Sequence, residues 1–505
     1  MPDRADRFTA LEALGALPQS LVEADGAAYG LAPRDGAPRL LILGEASALA
    51  EFEGERSEHG PATLLVGPAG PANAAALRRR LPWLQPRPLG LRTSAGFGDR
   101  LGLATPGHVR AAQAAGGRLA PIFAQQSIRE MTRTGRTPRQ VMDDATWGVF
   151  QEGWRGGVGA DADHLKTPAD IEACAAAGFT FYTIDPGEHV DNRAEQLSLS
   201  ELRAAAAALP EVVQPRHSGL LNRVFDLEGE SLTLAEPALL RAAVKYGRAV
   251  AHVARMYQHL TQTLPAGQFE LEVSVDETEQ PTTHSDHLYL ACELRRLGVQ
   301  WVSLAPRYVG RFEKGVDYLS PAGGPGDLSA FEPDFARHAA IARQLGPYKL
   351  SLHSGSDKFS IYATAARLTQ GLVHLKTAGT SYLEALRTVA ALDPALFREV
   401  YAFAREHYAG DRASYHVSAE VERAPAPGDL SDRELPRLLD EFDAREILHV
   451  TFGSVLTERA ASGERRFYPR LMRLLRAHAA AYAANLERHF GRHLQPFLPY
   501  ARTTA

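Results

Sequence analysis

The sequence predicts an α/β fold, a (β/α)8 TIM-like barrel with an N-terminal αβ region and a helical insertion. Short apolar or alternating runs recur from residue 119 onward and are separated by helical patterns, which is the rhythm of parallel βαβ units. Glycine stands just before four of these runs, at Gly178, Gly298, Gly346 and Gly371. Polar residues follow many of them, as expected at the catalytic face of a barrel. An open doubly wound sheet is the alternative, and the eight predicted strands disfavour it.

Residues 1–115 are predicted to form the N-terminal αβ region. Arg39–Gly44 and Ala62–Val66 are apolar runs typical of buried strands, and Pro71–Leu81 is an alanine-rich helical pattern. The glycines of GPAGPANAA lack the full dinucleotide fingerprint, so a turn that opens a helix is favoured over a nucleotide site. The glycine-rich stretch Gly96–His108 is interpreted either as a linker or as a loop that closes over a site.

Residues 116–505 are predicted to form the barrel, with a mostly helical insertion at about 193–265. The predicted strands are Leu119–Ala124, Val158–Ala162, Phe179–Ile184, Phe269–Val275, Val299–Leu304, Tyr348–Leu352, Leu372–Leu375 and Ile447–Val450. The clearest helix follows the second strand, with Thr167 as N-cap, Pro168 at the first helical position and Gly178 at the C-terminal end. A final helix is predicted over Tyr468–Phe490.

The composition excludes several classes of protein. The net charge of −5 gives no basic field for nucleic acid, and the two cysteines exclude a disulfide framework. The N-terminus lacks the apolar core of a signal peptide, and we find no run of about 18 apolar residues that would cross a membrane. We therefore expect a cytoplasmic protein whose partner is a small molecule, with no nucleic acid and no membrane. The oligomeric state is left open, with a homo-oligomer among the alternatives.

Three carboxylates alternate along the predicted strand Phe269–Val275 and the residue after it. Glu270, Glu272 and Asp276 share one parity and therefore one face. A buried carboxylate costs several kcal/mol unless it is paired, protonated or bound to a metal. We therefore predict a functional role for at least one of the three, and Glu272 is our choice.

Three histidines lie at predicted strand ends, namely His164, His353 and His374. Imidazole is a ligand for zinc, nickel, manganese or iron, and three protein ligands leave coordination positions open for a substrate. The sequence therefore predicts a divalent metal site at the barrel mouth. His189 is the substitute ligand.

Basic residues at the same predicted mouth favour an anionic substrate. The predicted substrate-binding residues are Arg100, Asp276, Arg307, Lys358 and Lys376. Arginine and lysine would hold a carboxylate or a phosphate. The alternatives are salt bridges to Asp357 and Asp276, and, for Lys376, a Schiff base with a carbonyl substrate.

Seven segments together resemble the tagaturonate epimerase family over roughly residues 90–420. They are GFGDRLGLATPGH, TGRTPRQVMDDATWGVFQEGWRGGVGADADHLKTP, FTFYTIDPGEHVDN, FELEVSVDETE, LAPRYVGRFEKGVDY, KLSLHSGSDKFS and HLKTAGTSYLEALR. The resemblance implies a metal-dependent enzyme of hexuronate catabolism that interconverts D-tagaturonate and D-fructuronate. It also implies Asp163 as proton acceptor, Glu272 as proton donor, and His164, His353 and His374 as metal ligands.

The chemistry of this substrate narrows the mechanism. The inverted carbon bears a hydroxyl and lies β to the ketone, so the carbonyl does not acidify its C–H bond. Retro-aldol cleavage followed by re-addition is one route, and a metal ion would stabilise its enediolate. Transient oxidation is the other, but the sequence has no clear nicotinamide site. Alternative functions are another metal-dependent sugar-acid aldolase, isomerase or dehydratase, and a non-catalytic sugar-acid binding protein.

Overall fold

The N-terminal region of the computed structural model is an antiparallel sheet with flanking helices. The structure describes residues 4–34 and 37–504. The first three residues of the N-terminal segment, to which the signal-peptide prediction applies, lie outside this range. The elements are α1 (Arg4–Ala13), β1 (Val22–Ala24), β2 (Ala27–Arg34), β3 (Ala37–Gly44), β4 (Glu55–His59), β5 (Ala62–Pro68) and α2 (Pro71–Arg80). The sheet order is β1-β2-β3-β5-β4. The two predicted strands and the predicted helix of this region are confirmed.

Barrel strands and helices then alternate as far as the insertion. These elements are β6 (Ser94–Gly98), α3 (Thr105–Ala114), β7 (Ala120–Ser127), α4 (Ile128–Thr134), α5 (Pro138–Gln151), β8 (Gly159–Leu165), α6 (Pro168–Ala177) and β9 (Phe181–Ile184). The predicted caps of α6 are confirmed, because Thr167 accepts the Asp170 N–H and Gly178 adopts a left-handed conformation.

The insertion after β9 is helical at both ends and carries a hairpin. Its elements are α7 (Leu199–Ala207), β10 (Val224–Leu227), β11 (Glu230–Thr233) and α8 (Glu236–Thr263). The hairpin β10–β11 is antiparallel and lies outside the barrel sheet.

The second half of the chain completes the barrel and then becomes all helical. Its elements are β12 (Glu270–Val275), α9 (His284–Arg296), β13 (Ser303–Pro306), α10 (Phe331–Gln344), β14 (Lys349–Leu352), α11 (Tyr362–Thr369), β15 (Val373–Lys376), α12 (Thr380–Leu392), α13 (Pro394–Asp411), α14 (Phe442–Val450), α15 (Phe452–Thr457), α16 (Tyr468–Ala477) and α17 (Ala479–Leu494).

Eight parallel strands of the described chain close into a barrel in the order β6-β7-β8-β9-β12-β13-β14-β15. The last strand pairs with the first, with His374 opposite Ser94. The predicted (β/α)8 fold is confirmed. Within the described residues, no helix has the length and apolarity needed to cross a membrane. The cytoplasmic location and a homo-oligomeric state stay predictions.

One predicted strand was wrong and one was missed. Ile447–Val450 belongs to helix α14, and the remaining barrel strand is β6, which overlaps the start of the glycine-rich stretch. The barrel therefore includes residues that we assigned to the N-terminal region, 1–115. A four-residue apolar run does not distinguish a strand from a buried helical segment, and residues 444–450 of α14 are all buried.

Candidate active site

Strand β8 delivers two adjacent side chains, Asp163 and His164, to the mouth of the barrel. Neighbours on a regular strand point to opposite faces, but the register between β8 and β9 shifts between Ala162 and Leu165. His164 has a left-handed backbone there, with φ of 54°. This bulge re-aims the ring, so that His164 Nδ1 lies 2.8 Å from Asp163 Oδ1.

Strands β12 and β14 supply two carboxylates and an imidazole. His353 follows β14 and lies between the carboxylates of Glu272 and Asp276. Its Nε2 is 2.6 Å from Glu272 Oε1, and its Nδ1 is 3.1 Å from Asp276 Oδ1. Glu272 is fully buried and also accepts hydrogen bonds from Ser303 and Thr183. Both ring nitrogens of His353 are therefore oriented by carboxylates.

Lys376 ends strand β15, and its ammonium group lies among three carboxylates. Its Nζ is 3.0 Å from Asp161, 2.6 Å from Asp163 and 2.8 Å from Glu272. Burial lowers the pKa of Lys376, but these carboxylates outweigh burial and raise the pKa above its usual value. A Schiff base requires the neutral amine, so this environment disfavours that alternative.

The charges at the mouth stabilise one another despite burial. Burial raises the pKa of Asp163, but the His164 ring and the Lys376 ammonium outweigh it and hold this pKa well below its usual range. Burial lowers the pKa of His164, but the Asp163 carboxylate outweighs it and the pKa rises well above its usual value. The site therefore combines an ionised Asp163 with imidazoles that carboxylates orient.

The residues at the mouth fit a divalent metal ion. Ligand atoms of Asp163, His164 and His353 lie within 4.8 Å of one another. His164 Nε2 is buried and makes no hydrogen bond in the described structure. Asp276 Oδ1 lies 3.6 Å from this nitrogen and 3.1 Å from His353 Nδ1. Imidazole nitrogens and carboxylate oxygens are ligand types that divalent metal ions accept.

Two adjoining cavities open above these residues, one of about 420 Å³ and one of about 50 Å³. His353, Ser354, Lys314 and Tyr415 line both. The small cavity reaches Asp163, His164 and Lys376. The large one is lined by Asp276, Glu277, Pro306, Arg307, Tyr308, Gly310, Arg311, Phe312, Glu313, and the segment from Tyr415 to Ser418. The mouth therefore has a small reactive end and a larger binding end.

Comparison with known proteins identifies the family. A family model described as tagaturonate epimerase matches residues 17–497. The chain belongs to the tagaturonate epimerase family. The match confirms the resemblance seen in the motifs, and the chain is accordingly an epimerase.

Similar proteins agree with this family assignment. A tagaturonate/fructuronate epimerase of Thermotoga maritima is 42% identical over 480 residues, which cover 94% of this chain and 95% of that protein. The crystal structure of a fructuronate-tagaturonate epimerase from Cohnella laeviribosi, complexed with one glycerol, superimposes with a TM-score of 0.90 at 36% identity and covers 98% of this chain and 99% of its own. The native crystal structure of the same protein gives a TM-score of 0.89 with the same coverage.

Six predicted site residues of this family member come together at the mouth: Asp163, His164, Glu272, Asp276, His353 and Lys376. His374 does not join them. It lies deeper in the barrel, where its Nδ1 is 2.9 Å from Ser94 Oγ, and burial lowers its pKa to about 3. The substitute ligand His189 packs against His252 instead, with 4.2 Å between ring centroids.

The predicted basic residues divide between the cavity walls and the interior. Lys358 is buried, and its Nζ donates to the carbonyls of Glu313, Val316 and Ser356, so it holds a loop and does not reach either cavity lining. Arg100 lines the small cavity but is paired with Glu130 at 2.7 Å. Arg307 lines the large cavity, and its buried Nη1 makes no hydrogen bond in the described structure.

The sequence reading missed two residues at the mouth. Lys314 lines both cavities, and its Nζ donates to Ser354 Oγ at 2.6 Å. Lys314 follows β13 in a loop whose sequence has no hydrophobic periodicity. The one sequence signal that could have identified it is its position in the family-like motif LAPRYVGRFEKGVDY. Asp161 of strand β8 is the second missed residue, and its carboxylate lies 3.0 Å from Lys376 Nζ. Burial raises its pKa to about 7, although Lys376 opposes this shift.

Proposed function

We propose that the chain interconverts D-tagaturonate and D-fructuronate with the help of a divalent metal ion. Family membership supports the substrate pair, because relatives similar over nearly the whole chain carry that name. One observation carries the metal: two imidazoles, of His164 and His353, converge on the Asp276 carboxylate beside a cavity of about 420 Å³. Three such ligands leave positions for substrate oxygens.

The ligands in this proposal are His164 Nε2, His353 Nδ1 and Asp276. The opposite ring nitrogens are held by carboxylates, 2.8 Å away at Asp163 and 2.6 Å away at Glu272. Metal-binding histidines commonly donate their second N–H to a carboxylate, which fixes the tautomer. Asp276 replaces His374 in this ligand set, because His374 lies deeper in the barrel beside Ser94.

A bound divalent ion would supply Lewis acidity to the ketone and the neighbouring hydroxyl of the substrate. Asp163 accepts the proton of the hydroxyl on the β carbon. The bond between the α and β carbons then breaks, and its electron pair moves toward the ketone oxygen. The aldehyde turns, the bond re-forms on its other face, and the proton returns to the hydroxyl oxygen.

Glu272 is the proton donor that the family resemblance implies. Burial raises its pKa, but Lys376 and His353 outweigh burial and hold it well below its usual range. Lys376 Nζ touches both Asp163 and Glu272, so it connects the proton acceptor with the donor. We propose that Lys376 gives a proton to Glu272 and takes up the proton that Asp163 has accepted, after which Glu272 donates its proton to the hydroxyl oxygen.

The uronate carboxylate is assigned to Arg307 and Lys314. Both line the large cavity, and the guanidinium of Arg307 has a free buried Nη1 within the described structure. A charged guanidinium binds a carboxylate with two parallel hydrogen bonds. The substrate therefore lies with its carboxylate toward the binding end and its ketone toward His164 and His353.

The test is turnover of D-fructuronate by chelator-treated protein, with and without zinc, nickel or manganese, followed by NMR. We expect turnover to depend on added metal. His353→Gln should lose metal-restored turnover, whereas His59→Gln, at an exposed histidine of strand β4, should keep it. Turnover without any metal would contradict the metal site. Cleavage to three-carbon products without epimerisation would favour the aldolase alternative.

A further inference from the structure

A second group of metal-type side chains lies outside the barrel, between helices α9 and α10. It consists of His284, at the start of α9, and of Asp334 and His338, which are four residues apart on α10. One ligand atom of each lies within 4.8 Å of the others. The mouth residues described above take no part in this group.

The distances between the possible ligand atoms of this group are close to those around a bound metal ion. His284 Nε2 is 3.1 Å from Asp334 Oδ1, and His338 Nε2 is 3.8 Å from Asp334 Oδ2. Two ligands of a tetrahedral zinc ion, each about 2.0–2.1 Å from it, lie about 3.3 Å apart. The His284 and Asp334 side chains are 20% and 22% exposed, so water can take the remaining coordination position.

His338 is the observation that points to a ligand. Its side chain is completely buried, and its Nε2 makes no hydrogen bond within the part of the chain that the structure describes. The Thr282 carbonyl favours the charged ring and so opposes the effect of burial on the pKa. A buried polar atom without a partner costs about 1–3 kcal/mol. Burial also lowers the pKa of His338 well below its usual value, so the ring is neutral.

The opposite side of the His338 ring is already arranged for metal binding. His338 Nδ1 lies 2.9 Å from His287 Nδ1, and His287 Nε2 lies 2.7 Å from the Tyr348 hydroxyl. If His338 donates from Nδ1 and His287 donates from Nε2 to the Tyr348 hydroxyl, both of these hydrogen bonds form with one proton each. The lone pair of His338 Nε2 then faces Asp334 and His284. Metal-binding histidines are usually oriented by a hydrogen bond from the second ring nitrogen, and His287 accepts that bond here.

We propose that His284, Asp334 and His338 bind a second divalent metal ion, of the zinc type, that joins α9 to α10. A third histidine group, Asp357 with His489 and His493, offers a contrast. Arg445 already lies 2.9 Å from the Asp357 carboxylate, so a cation is present there in the form of a side chain.

The second ion would brace the segment that carries Arg307. Thr282, next to the N-cap of α9, accepts the Arg307 N–H at 3.0 Å through its hydroxyl and donates its own N–H to the Arg307 carbonyl at 2.8 Å. Asp334 accepts the Val309 N–H at 3.4 Å, and the Tyr308 ring packs 5.6 Å from the His338 ring. The site is therefore a structural support for one wall of the large cavity.

The test counts zinc ions in the purified full chain, after dialysis against limiting zinc, by inductively coupled plasma mass spectrometry. His284→Gln should contain one ion fewer per chain than the wild type. Its loss of zinc affinity should exceed the roughly 10- to 100-fold that removal of a second-sphere partner causes. Zinc should raise the melting temperature of the wild type more than that of His284→Gln. His284 is partly exposed, so this variant should fold; Asp334→Asn is the second variant.

Two controls separate this site from the mouth. His59→Gln removes an exposed histidine of strand β4 and should leave the zinc content unchanged. His353→Gln should lose the ion at the mouth and keep the ion at α9–α10, whether or not the mouth ion is catalytic. Equal zinc content and equal thermal response in wild type, His284→Gln and Asp334→Asn would overturn the proposal.

Discussion

At the scale of single residues, the mouth shows how one backbone irregularity sets up chemistry. Asp163 and His164 are adjacent in sequence, and a regular strand would separate them onto opposite faces. The bulge at His164 brings both side chains to the same end of the barrel. In the motif DADHL, Asp163 and His164 therefore act at the same site and do not alternate between the two faces of the strand.

Arg307 tests the assignment of the carboxylate site. We expect Arg307→Lys to raise KM for D-fructuronate by about tenfold or more with a smaller change in kcat, because lysine keeps the charge but loses the forked hydrogen bonds. Steady-state kinetics measure this split. Arg311→Lys is the matched control, since Arg311 lines the same cavity but is 43% exposed and paired with Glu313. A larger KM effect for Arg311→Lys would transfer the carboxylate to that residue.

Glu446 makes the stability depend on pH. It is buried beside Glu313, and the two carboxyl groups share the Ser418 N–H. Burial, followed by the charge of Glu313, raises the pKa of Glu446 from 4.5 to about 8. The folded protein therefore holds this proton between about pH 4.5 and pH 8, where the unfolded chain has lost it. Its contribution to stability is complete below pH 4.5 and is lost as the pH rises through 8.

Glu446→Gln removes that titration. Urea unfolding at pH 4 should give similar midpoints for wild type and variant, because at that pH both side chains are largely neutral in the folded and in the unfolded chain. At pH 9 the variant should have the higher midpoint. Glu422→Gln, at an exposed acidic position, should give the same small difference at both pH values. An equal difference for Glu446→Gln at both pH values would contradict this prediction.

At the scale of secondary-structure elements, the sequence predicts most of the barrel and fails where packing overrides local pattern. Seven of the eight predicted strands overlap barrel strands, because alternation and apolar runs survive there. Strand β6, with sequence SAGFG, has no such signal. Its glycines allow close approach: a Cβ at Gly98 would lie 2.8 Å from Ala378 Cα, and one at Gly96 would lie 3.1 Å from the Gln125 side chain. Neighbouring strands and loops, and not propensity, make β6 a strand.

The site residues, like the strands, were predicted correctly where local sequence pattern decides their position and not where tertiary packing does. Residues at strand ends, such as His353 and Lys376, were found because the fold class places strand ends at the mouth. His374 was assigned to the mouth as well, but it is two residues before Lys376 and therefore one layer deeper in the barrel. Lys314 lies in a long loop whose path depends on tertiary contacts. Sequence pattern gives the direction of a side chain but not its depth.

At the scale of the whole molecule, the N-terminal sheet and the barrel share one hydrophobic core. Tyr29, Leu40 and Ile42 of the sheet belong to the same buried cluster as Phe150 of barrel helix α5. Helix α2 lies between the two parts and contacts α5. Because one core spans both parts, we expect them to unfold together.

A buried ion pair at this junction tests that expectation. Arg78 of α2 lies 2.7 Å from Asp143 of α5, and their side chains are 11% and 7% exposed. Arg78→Ala leaves the Asp143 carboxylate buried without its cation, so we expect it to lower the free energy of unfolding by about 3 kcal/mol.

Arg79→Ala is the matched control, because Arg79 is 59% exposed and pairs with Glu51 at the surface, where such pairs contribute about 0–1 kcal/mol. Urea unfolding followed by circular dichroism and by tryptophan fluorescence should give one coincident transition in both variants, shifted only in Arg78→Ala. A separate early transition of the N-terminal sheet in Arg78→Ala would show instead that the barrel keeps its structure without the sheet.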